Sequence, residues 1–306
     1  DAWKASFVLG ASWYYTRSES SSSGSEQFFD DSFDYFNLGA GSVTHNPSSG
    51  MDEQSMNSYY FRMNHNLFNR YMFGFTFRAD GASNFGANNK FGYFPSGSFA
   101  WVMSEEPFFE PAKDVMNNLK FRVSYGQVGN AGIPNYRTIS QYGTGQTIMN
   151  NTQTAYVTLT NLGNADLKWE TSTQLNFGID AAFFNNRLEF IADVYDKATT
   201  DLLFNRQVPS TTGYTTSWTN LGEIRNRGIE LTLTSHNISN KNFSWDTDLI
   251  FAKNKITVVD INDELLSYGG GYLKEGEEWG AFYLYNRLGT WGLDEIEEAA
   301  KYNKKP

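Results

Sequence analysis

Three glycines in the segment VSYGQVGNAGI, residues 123–133, have the type and spacing that raise the question of phosphate binding. Gly126, Gly129 and Gly132 follow a run typical of a β-strand. A dinucleotide-binding turn needs the spacing G-x-G-x-x-G between a strand and a helix, so that the helix N-terminus points at the pyrophosphate. Here the spacing is G-x-x-G-x-x-G, and the following IPNY favours a turn or extended chain. The pattern therefore indicates the glycine-rich end of a strand and argues against a phosphate site.

An acidic pair offers a second kind of chemistry, general acid and base catalysis. Glu189 and Asp193 lie on the same face of one predicted strand and resemble the two carboxylates of a glycosidase. Neighbouring predicted strands carry charges on that same face, so a polar lining explains the pair better than a catalytic dyad does. We expect no catalytic residues and no enzyme activity.

Metal-ligating residues are sparse. His45, His65 and His236 lie in separate segments without metal-ligand spacing, and the chain contains no cysteine. The segment Asp260–Glu264 begins like a calcium loop, but Leu265 stands where the sharp turn of such a loop requires glycine. The sequence therefore predicts neither a metal site nor a bound cofactor.

The composition indicates an all-β protein. Of the 306 residues, 17% are aromatic and 27 are glycine, a mixture rich in strand and turn formers. The net charge of −10 repels nucleic acid phosphates, so nucleic acid is excluded as a partner. The sequence lacks an apolar run of about 18 residues, which a membrane-spanning helix would need. Strands of a membrane barrel need only about ten residues of alternating polarity.

Alternation of apolar and polar residues marks the predicted strands. Between residues 171 and 184, Leu175, Phe177, Ile179 and Phe183 alternate with polar side chains. The same period of two predicts nine strands, with a tenth at Trp279–Trp291: these nine are residues 2–15, 58–68, 70–80, 92–102, 119–126, 171–184, 188–194, 229–234 and 243–251.

Long and short connections alternate along the chain. The long ones are residues 17–54, 81–91, 129–170, 201–219 and the stretch from 260 onward. The short ones are residues 69–70, 105–118, 185–186 and 236–242. This rhythm is typical of an up-and-down transmembrane barrel, which has long external loops and short periplasmic turns.

The two faces of the predicted strands favour a membrane over a sandwich of two sheets. Aromatic residues are abundant on the apolar face, as the interfacial girdles of a barrel require. The other face carries charges of both signs, which need a water-accessible interior: Arg62, Arg78, Lys120, Arg122, Asp180, Glu189, Asp193, Glu230, Asp246 and Asp248. The alternative is a soluble β-protein with one solvated face. That alternative predicts a second layer of protein over Phe73, Phe75, Phe177 and Phe183.

Several motifs resemble the SusC/RagA family of TonB-dependent outer-membrane transporters. They occur in order and at family-like spacing over residues 56–258. The segments are FRADGASNF at 77–85, GYFPSGSFAWVMSEE at 92–106, LKFRVSYGQVGN at 119–130, LKWET at 167–171 and NLGEIRNRGIE at 220–230, with Phe108, Phe109, Tyr195, Lys197, Thr199 and the run DLL at 201–203.

The resemblance implies a barrel of 22 strands in the outer membrane of a Gram-negative bacterium, with a plug domain inside it. A SusD-like surface lipoprotein would cover the barrel, and TonB would supply energy for importing glycans or peptides. Residues 1–306 are then expected to form about nine or ten strands in contact with outer-membrane lipid. The plug, the segment that contacts TonB and the remaining strands would lie outside this chain.

The residues that bind substrate remain unassigned. The resemblance points to residues that face the barrel interior or to the long connections at 17–54, 129–170 and 201–219. Aromatic side chains there do not distinguish a sugar from a peptide: Tyr136, Tyr142, Tyr156, Tyr214 and Trp218. The alternative function is a soluble or surface-attached β-rich domain that binds glycans without transporting them.

Overall fold

The structure, a computed structural model, describes residues 2–214, 216–262, 266–268, 271–282, 284 and 301. Within these ranges the strands of the first half are β1 (Trp3–Phe28), β2 (Gly41–Leu67), β3 (Tyr71–Ala82), β4 (Phe91–Val102), β5 (Met116–Asn130), β6 (Gln141–Met149), β7 (Thr152–Asn161) and β8 (Glu170–Phe183). The remaining strands are β9 (Leu188–Thr200), β10 (Leu203–Gln207), β11 (Thr216–Asn220), β12 (Glu223–Ser239), β13 (Ser244–Asp260), β14 (Leu266–Tyr268) and β15 (Gly271–Leu273). Among the described residues, the helical segments are too short and polar to cross a membrane.

Nine of the described strands form one antiparallel sheet in the order β1-β2-β3-β4-β5-β8-β9-β12-β13. Each strand pairs with the next one of the sheet along the chain, as an up-and-down barrel wall requires. The prediction of nine barrel strands is confirmed. Most of the tenth, at 279–291, lies outside the described residues, and its described part, residues 279–282 and 284, is not strand.

One end of the sheet has tight connections, and we call it the turn end. Phe68 and Asn69 there have positive φ, as do Phe184, Asn185 and Asn186 in the β8–β9 turn. Asparagine tolerates this left-handed conformation better than most residues, which explains the predicted turns. Two 3₁₀ helices, Met103–Glu105 and Pro107–Ala112, form the β4–β5 connection at the same end. The opposite end, called the open end, carries the two longest connections, residues 131–169 and 201–222. The β1–β2 and β3–β4 connections there, at 29–40 and 83–90, are shorter than the β4–β5 connection of the turn end, so the predicted alternation is confirmed only in part.

The prediction that residues 17–54 form a loop is wrong. β1 continues to Phe28 and β2 begins at Gly41, and the register runs from Trp3 paired with Leu67 to Phe28 paired with Gly41. A strand of 26 residues is about 85 Å long at about 3.3 Å per residue, so this hairpin extends far beyond a hydrocarbon layer. Both faces of such a hairpin contact water, and the sequence therefore loses the alternation by which strands are recognised.

Smaller hairpins also lie inside segments that the alternation predicted as loops. β6 and β7 pair within residues 129–170, and β10 and β11 pair within residues 201–219. β14 and β15 pair after residue 260. β10, β11, β14 and β15 are only three to five residues long, too short for a period of two to mark them. β7 does alternate, with Ala155, Val157 and Leu159 on one side, and this strand signal was missed.

The main sheet is a single layer. Phe73, Phe75 and Phe177, which lie on what we call the apolar face, are 44%, 41% and 56% exposed, and Phe183 is half-buried beside Phe184. Within the described residues no second sheet or helix covers this face. A soluble sandwich would bury these rings, because exposing a contiguous apolar surface of this extent to water is unfavourable. Contact with lipid accounts for it.

Tight side-chain packing is concentrated at the open end. One core cluster joins residues of β3, β4 and the long connections: Ala82, Phe85, Phe94, Ile133, Leu167 and Trp169. Trp169 lies 5.3 Å from Phe85 and 5.5 Å from Phe94 between ring centroids. Its indole Nε1 donates to the Lys90 carbonyl at 3.2 Å. The connections are thus anchored to the sheet by an aromatic core.

Candidate functional site

The polar face of the sheet carries a charge cluster that spans three strands. Arg122 on β5 donates to Asp180 on β8 at 2.7 Å and to Asp193 on β9 at 3.0 Å. Lys120 lies 3.5 Å from Asp180. The side chains of Arg122, Asp180 and Asp193 are 32%, 22% and 19% exposed. A planar guanidinium matches two carboxylates in this way, and the cluster satisfies its own charges on a partly wet wall.

Further charges follow the same face toward the open end. Arg78 donates from Nε to Asp80 at 2.7 Å and from Nη2 to Ser58 at 3.0 Å. Its guanidinium carbon lies 5.7 Å from the ring centre of Tyr60. These charged residues thus lie together on the face that the sequence predicted for them.

A second cluster fixes the turn end. Glu106 accepts hydrogen bonds from Tyr71 Oη, from Trp101 Nε1 at 3.1 Å and from Arg70 Nη1 at 3.3 Å, and its side chain is 9% exposed. The Tyr71 hydrogen bond is the largest influence and lowers the pKa of the Glu106 carboxyl, against the raising effect of burial. Every group in the cluster has a partner, so its role is to hold the β4–β5 connection against β3.

At the open end, a groove of about 430 Å³ lies between the β1–β2 hairpin and the connection after β5. Its lining includes Asp52, Gln54, Asn135, Tyr136 and Arg137. Asn135 donates to Asp52, which joins the two walls. Tyr136 is 39% exposed and has a positive φ of 63°. A ring beside amide, carboxylate and guanidinium groups can stack on and hydrogen-bond a polar ligand.

Two polar atoms beside this groove are buried without a hydrogen-bond partner among the described residues. They are Asn135 Oδ1 and Arg137 Nε. Buried donors and acceptors are normally paired, and orphaned ones concentrate where a ligand or water completes the network. The two hairpins that frame this region touch through Asn46 and Gln146 at 3.0 Å. The groove is the best candidate for substrate contact at the open end.

The other four aromatic residues considered from the sequence do not line this groove. Tyr142 and Tyr156 lie on the β6–β7 hairpin and are 68% and 46% exposed. Trp218 on β11 packs against the aromatic core of the open end. Tyr214 follows the 3₁₀ turn Ser210–Thr212, and its backbone N–H donates to Thr212 at 3.3 Å.

Glu189 and Asp193, the acidic pair considered for catalysis, have different surroundings in the structure. In the β8–β9 pairing Asp193 lies opposite Gly178, whereas Glu189 lies opposite Ala182. Asp193 is bound to Arg122, so it is part of the charge cluster of the polar face. This placement fits the expected polar lining.

The three histidines occupy three separate places. His45 contacts Glu26 at 2.9 Å, His65 stacks on Trp3 at 5.8 Å, and His236 contacts Asp246 at 2.7 Å. Across the described part of the chain, no three His, Cys, Asp or Glu side chains gather as metal ligands would. Of the calcium-like segment 260–264, residues 263 and 264 lie outside the described residues, as does Leu265.

The glycines of the 123–133 segment serve close packing. A Cβ on Gly126 would lie 2.9 Å from the Ser96 side chain, and one on Gly129 would lie 1.9 Å from the Phe94 ring. β5 ends at Asn130, and a bend and turns follow at residues 133–139. The interpretation of this segment as a strand end that enters a long connection is confirmed.

Comparison with known proteins agrees with this architecture. The family described as "TonB dependent receptor-like, beta-barrel" matches residues 2–302. TonB-dependent receptor P3 of Formosa agariphila is 37% identical over an alignment of 297 residues that covers 94% of this chain and 30% of that protein. TonB-dependent receptor SusC of Bacteroides thetaiotaomicron is 33% identical over an alignment of 220 residues that covers 68% of this chain and 21% of that protein. The chain thus spans less than a third of the length of these relatives.

Solved structures agree at the level of the fold. The structure of the RagAB peptide transporter superposes with a TM-score of 0.80 at 24% identity, covering 90% of this chain and 31% of that chain. The outer membrane transporter YddB from Escherichia coli superposes with a TM-score of 0.57 at 12% identity over 90% of this chain and 35% of that one. The family match over residues 2–302 shows that the chain belongs to the TonB-dependent receptor β-barrel family of the Gram-negative outer membrane, and the single-layer sheet with its apolar face agrees with it.

Proposed function

We propose that this chain forms part of the wall of an outer-membrane importer of glycans or peptides. The observation that carries the proposal is the single-layer sheet with an apolar face toward lipid and a charged face on the other side. Such a wall separates lipid from a water-accessible interior. In this proposal TonB supplies the energy, a SusD-like lipoprotein covers the open end, and a plug domain outside this chain closes the interior.

The groove beside Tyr136 is proposed as a place where substrate first contacts the barrel. It lies at the open end, beside the long β1–β2 hairpin, which would bring it to the outside of the cell. Its ring, amides and carboxylate suit sugars and peptides alike, so both substrate classes remain in the proposal. RagAB, which shares this fold, is a peptide transporter, and this favours a peptide assay as the first one.

Uptake by cells is the decisive experiment. Cells that make the full-length protein would be given fluorescently labelled peptide and oligosaccharide pools, with matched strains that lack the receptor or TonB. Import is expected to require both proteins, and a surface lipoprotein is expected to copurify with the receptor. Capture on the cell surface without TonB-dependent uptake would contradict import and would support the alternative of a glycan-binding surface domain.

A further inference from the structure

The open-end rim of the apolar face carries a group of cations on β12 and β13. Arg227 and Arg225 follow Ile229 on the same face of β12, because side chains two residues apart share a face. On β13, Lys253 lies opposite Ile229 and Lys255 lies opposite Arg227. The face that contacts lipid thus changes from apolar to cationic within one step along each strand, from Ile229 to Arg227 on β12 and from Phe251 to Lys253 on β13.

This change is specific to β12 and β13 among the neighbouring strands. On β8 the apolar run that ends at Leu175 is followed on the same face by Thr173. On β5 the run that ends at Tyr125 is followed by Gln127. On β9, which lies between β8 and β12, the run that ends at Val194 is followed by Asp196. None of these three strands places a cation at this rim, so the cations are not a general requirement of the membrane interface.

A groove of about 520 Å³ lies where the cations meet the apolar band. Its floor is apolar and is formed by Leu175, Phe177, Val194 and Ile229. Arg227, Lys253 and Lys255 also line the groove, together with the Asp196 carboxylate. Lys253 lies in register with Ile229, and Arg227 and Lys255 lie one step closer to the open end. The lining therefore combines a surface for an acyl chain with donors for an anion.

Internal ion pairs neutralise only part of this charge. Asp196 accepts two hydrogen bonds from Arg225, at 2.7 Å each, and one from Arg227 Nε at 3.0 Å. Lys255 lies 3.2 Å from Glu278. The terminal nitrogens of Arg227 and the Lys253 ammonium make no hydrogen bond or ion pair with the described residues. Arg227 is held by Asp196 at Nε while its outer fork stays exposed.

We propose that this groove binds a phosphate-bearing lipid of the outer leaflet. The acyl chain would lie on the apolar floor, and the phosphate would accept hydrogen bonds from the Arg227 fork and the Lys253 ammonium. The long connections place this rim at the external surface, where the headgroups of that leaflet lie. The apolar floor is continuous with the lipid-facing band, which selects a lipid over soluble phosphate. The proposal depends on the membrane location and is independent of the transported substrate.

Native mass spectrometry of the full-length protein in detergent micelles tests this site. The probes are dioleoyl phosphatidic acid, dioleoyl phosphatidylcholine and inorganic phosphate. Phosphatidic acid is expected to bind more tightly than phosphatidylcholine, which has the same acyl chains, and inorganic phosphate is not expected to compete at equal concentration. Arg227→Gln with Lys253→Gln should weaken phosphatidic acid binding about fivefold for each cation removed.

Two further variants keep the test decisive. Lys241→Gln, in the β12–β13 turn at the opposite end of the sheet, should leave binding unchanged. Asp196→Asn removes a negative charge and frees both arginines, so it should strengthen phosphatidic acid binding. If the double variant does not fold, this variant tests the proposal in its place. Equal affinity for the two lipids, or unchanged binding in the double variant, would overturn the proposal. Normal substrate uptake by these variants would leave the import proposal intact.

Discussion

Arg122 and Asp193 are joined by a hydrogen bond of 3.0 Å although a whole strand lies between them. The intervening strand β8 presents Gly178 at the register position opposite both residues. A Cβ at Gly178 would lie 2.6 Å from the Arg122 guanidinium and 2.6 Å from an Asp193 carboxylate oxygen. The missing side chain is therefore what lets a charge pair reach across three strands of the polar face.

Gly178→Ala is expected to destabilise the barrel by about 1–3 kcal/mol, because the new methyl group displaces the Arg122 fork and strains neighbours that are already in contact. Gly97→Ala is the matched control, since the nearest atom to its Cβ would be the Gly74 carbonyl oxygen at 3.9 Å. The measurement is the urea midpoint of the full-length protein in detergent. Equal midpoints for the two variants would show that the close approach at Gly178 is unimportant.

Arg122→Gln is expected to lower the free energy of unfolding by about 1–3 kcal/mol, because it leaves Asp180 and Asp193 near each other without their shared cation. Lys113→Gln is the control, because it removes one partner of the exposed ion pair with Glu110. It should change the free energy of unfolding by less than about 0.5 kcal/mol. Restoring the midpoint by combining Arg122→Gln with Asp193→Asn would support charge repulsion as the cause. Failure of that rescue would point to lost packing.

Stability should fall in acid partly through Glu106, whose folded pKa lies below its ordinary value mainly because of the Tyr71 hydrogen bond. A depressed folded pKa stabilises the fold above the unfolded pKa of about 4.3, and this contribution is lost as the pH falls through the folded value. Glu106→Gln should therefore show less loss of thermal stability below about pH 4.3 than the unchanged protein. Tyr71→Phe should move the Glu106 transition to higher pH. An identical acid profile for Glu106→Gln would contradict this role.

Tyr136→Ala should weaken substrate binding roughly threefold to tenfold, because a stacking aromatic contributes about 0.5–1.5 kcal/mol beyond its area. Tyr156→Ala is the control, since Tyr156 is similarly exposed but does not line the groove. Titration of the purified full-length receptor with its substrate measures both affinities. The groove would lose its proposed role if the two variants bound equally well.

Much of the sheet was predictable from local pattern. Segments such as 171–184 face lipid on one side and water on the other, so polarity alternates with every residue and marks both strand and face. The asparagines at 69 and 185–186 marked tight turns because they tolerate positive φ. The β1–β2 extension at residues 17–54 escaped prediction because water surrounds both of its faces and removes the alternation.

The contacts that form the candidate sites could not be predicted from local sequence. Nothing in the local sequence links Asn135 to Asp52, Glu106 to Tyr71, or the cationic rim of β12 to that of β13, since each depends on register or on how a connection folds back. Sequence spacing suggested that Glu189 and Asp193 act as a pair. In the structure Asp193 instead accepts a hydrogen bond from Arg122, which is 71 residues away in the sequence.

By itself, the sequence determined the class of the protein: alternating polarity, turn residues and family motifs are local properties, and they specify a lipid-facing antiparallel wall. Only the tertiary structure decided which side chains meet. Cross-strand contacts depend on the register between distant segments, and a shift of one residue would turn every side chain to the opposite face. The charge cluster, the open-end groove and the cationic rim are all consequences of that register.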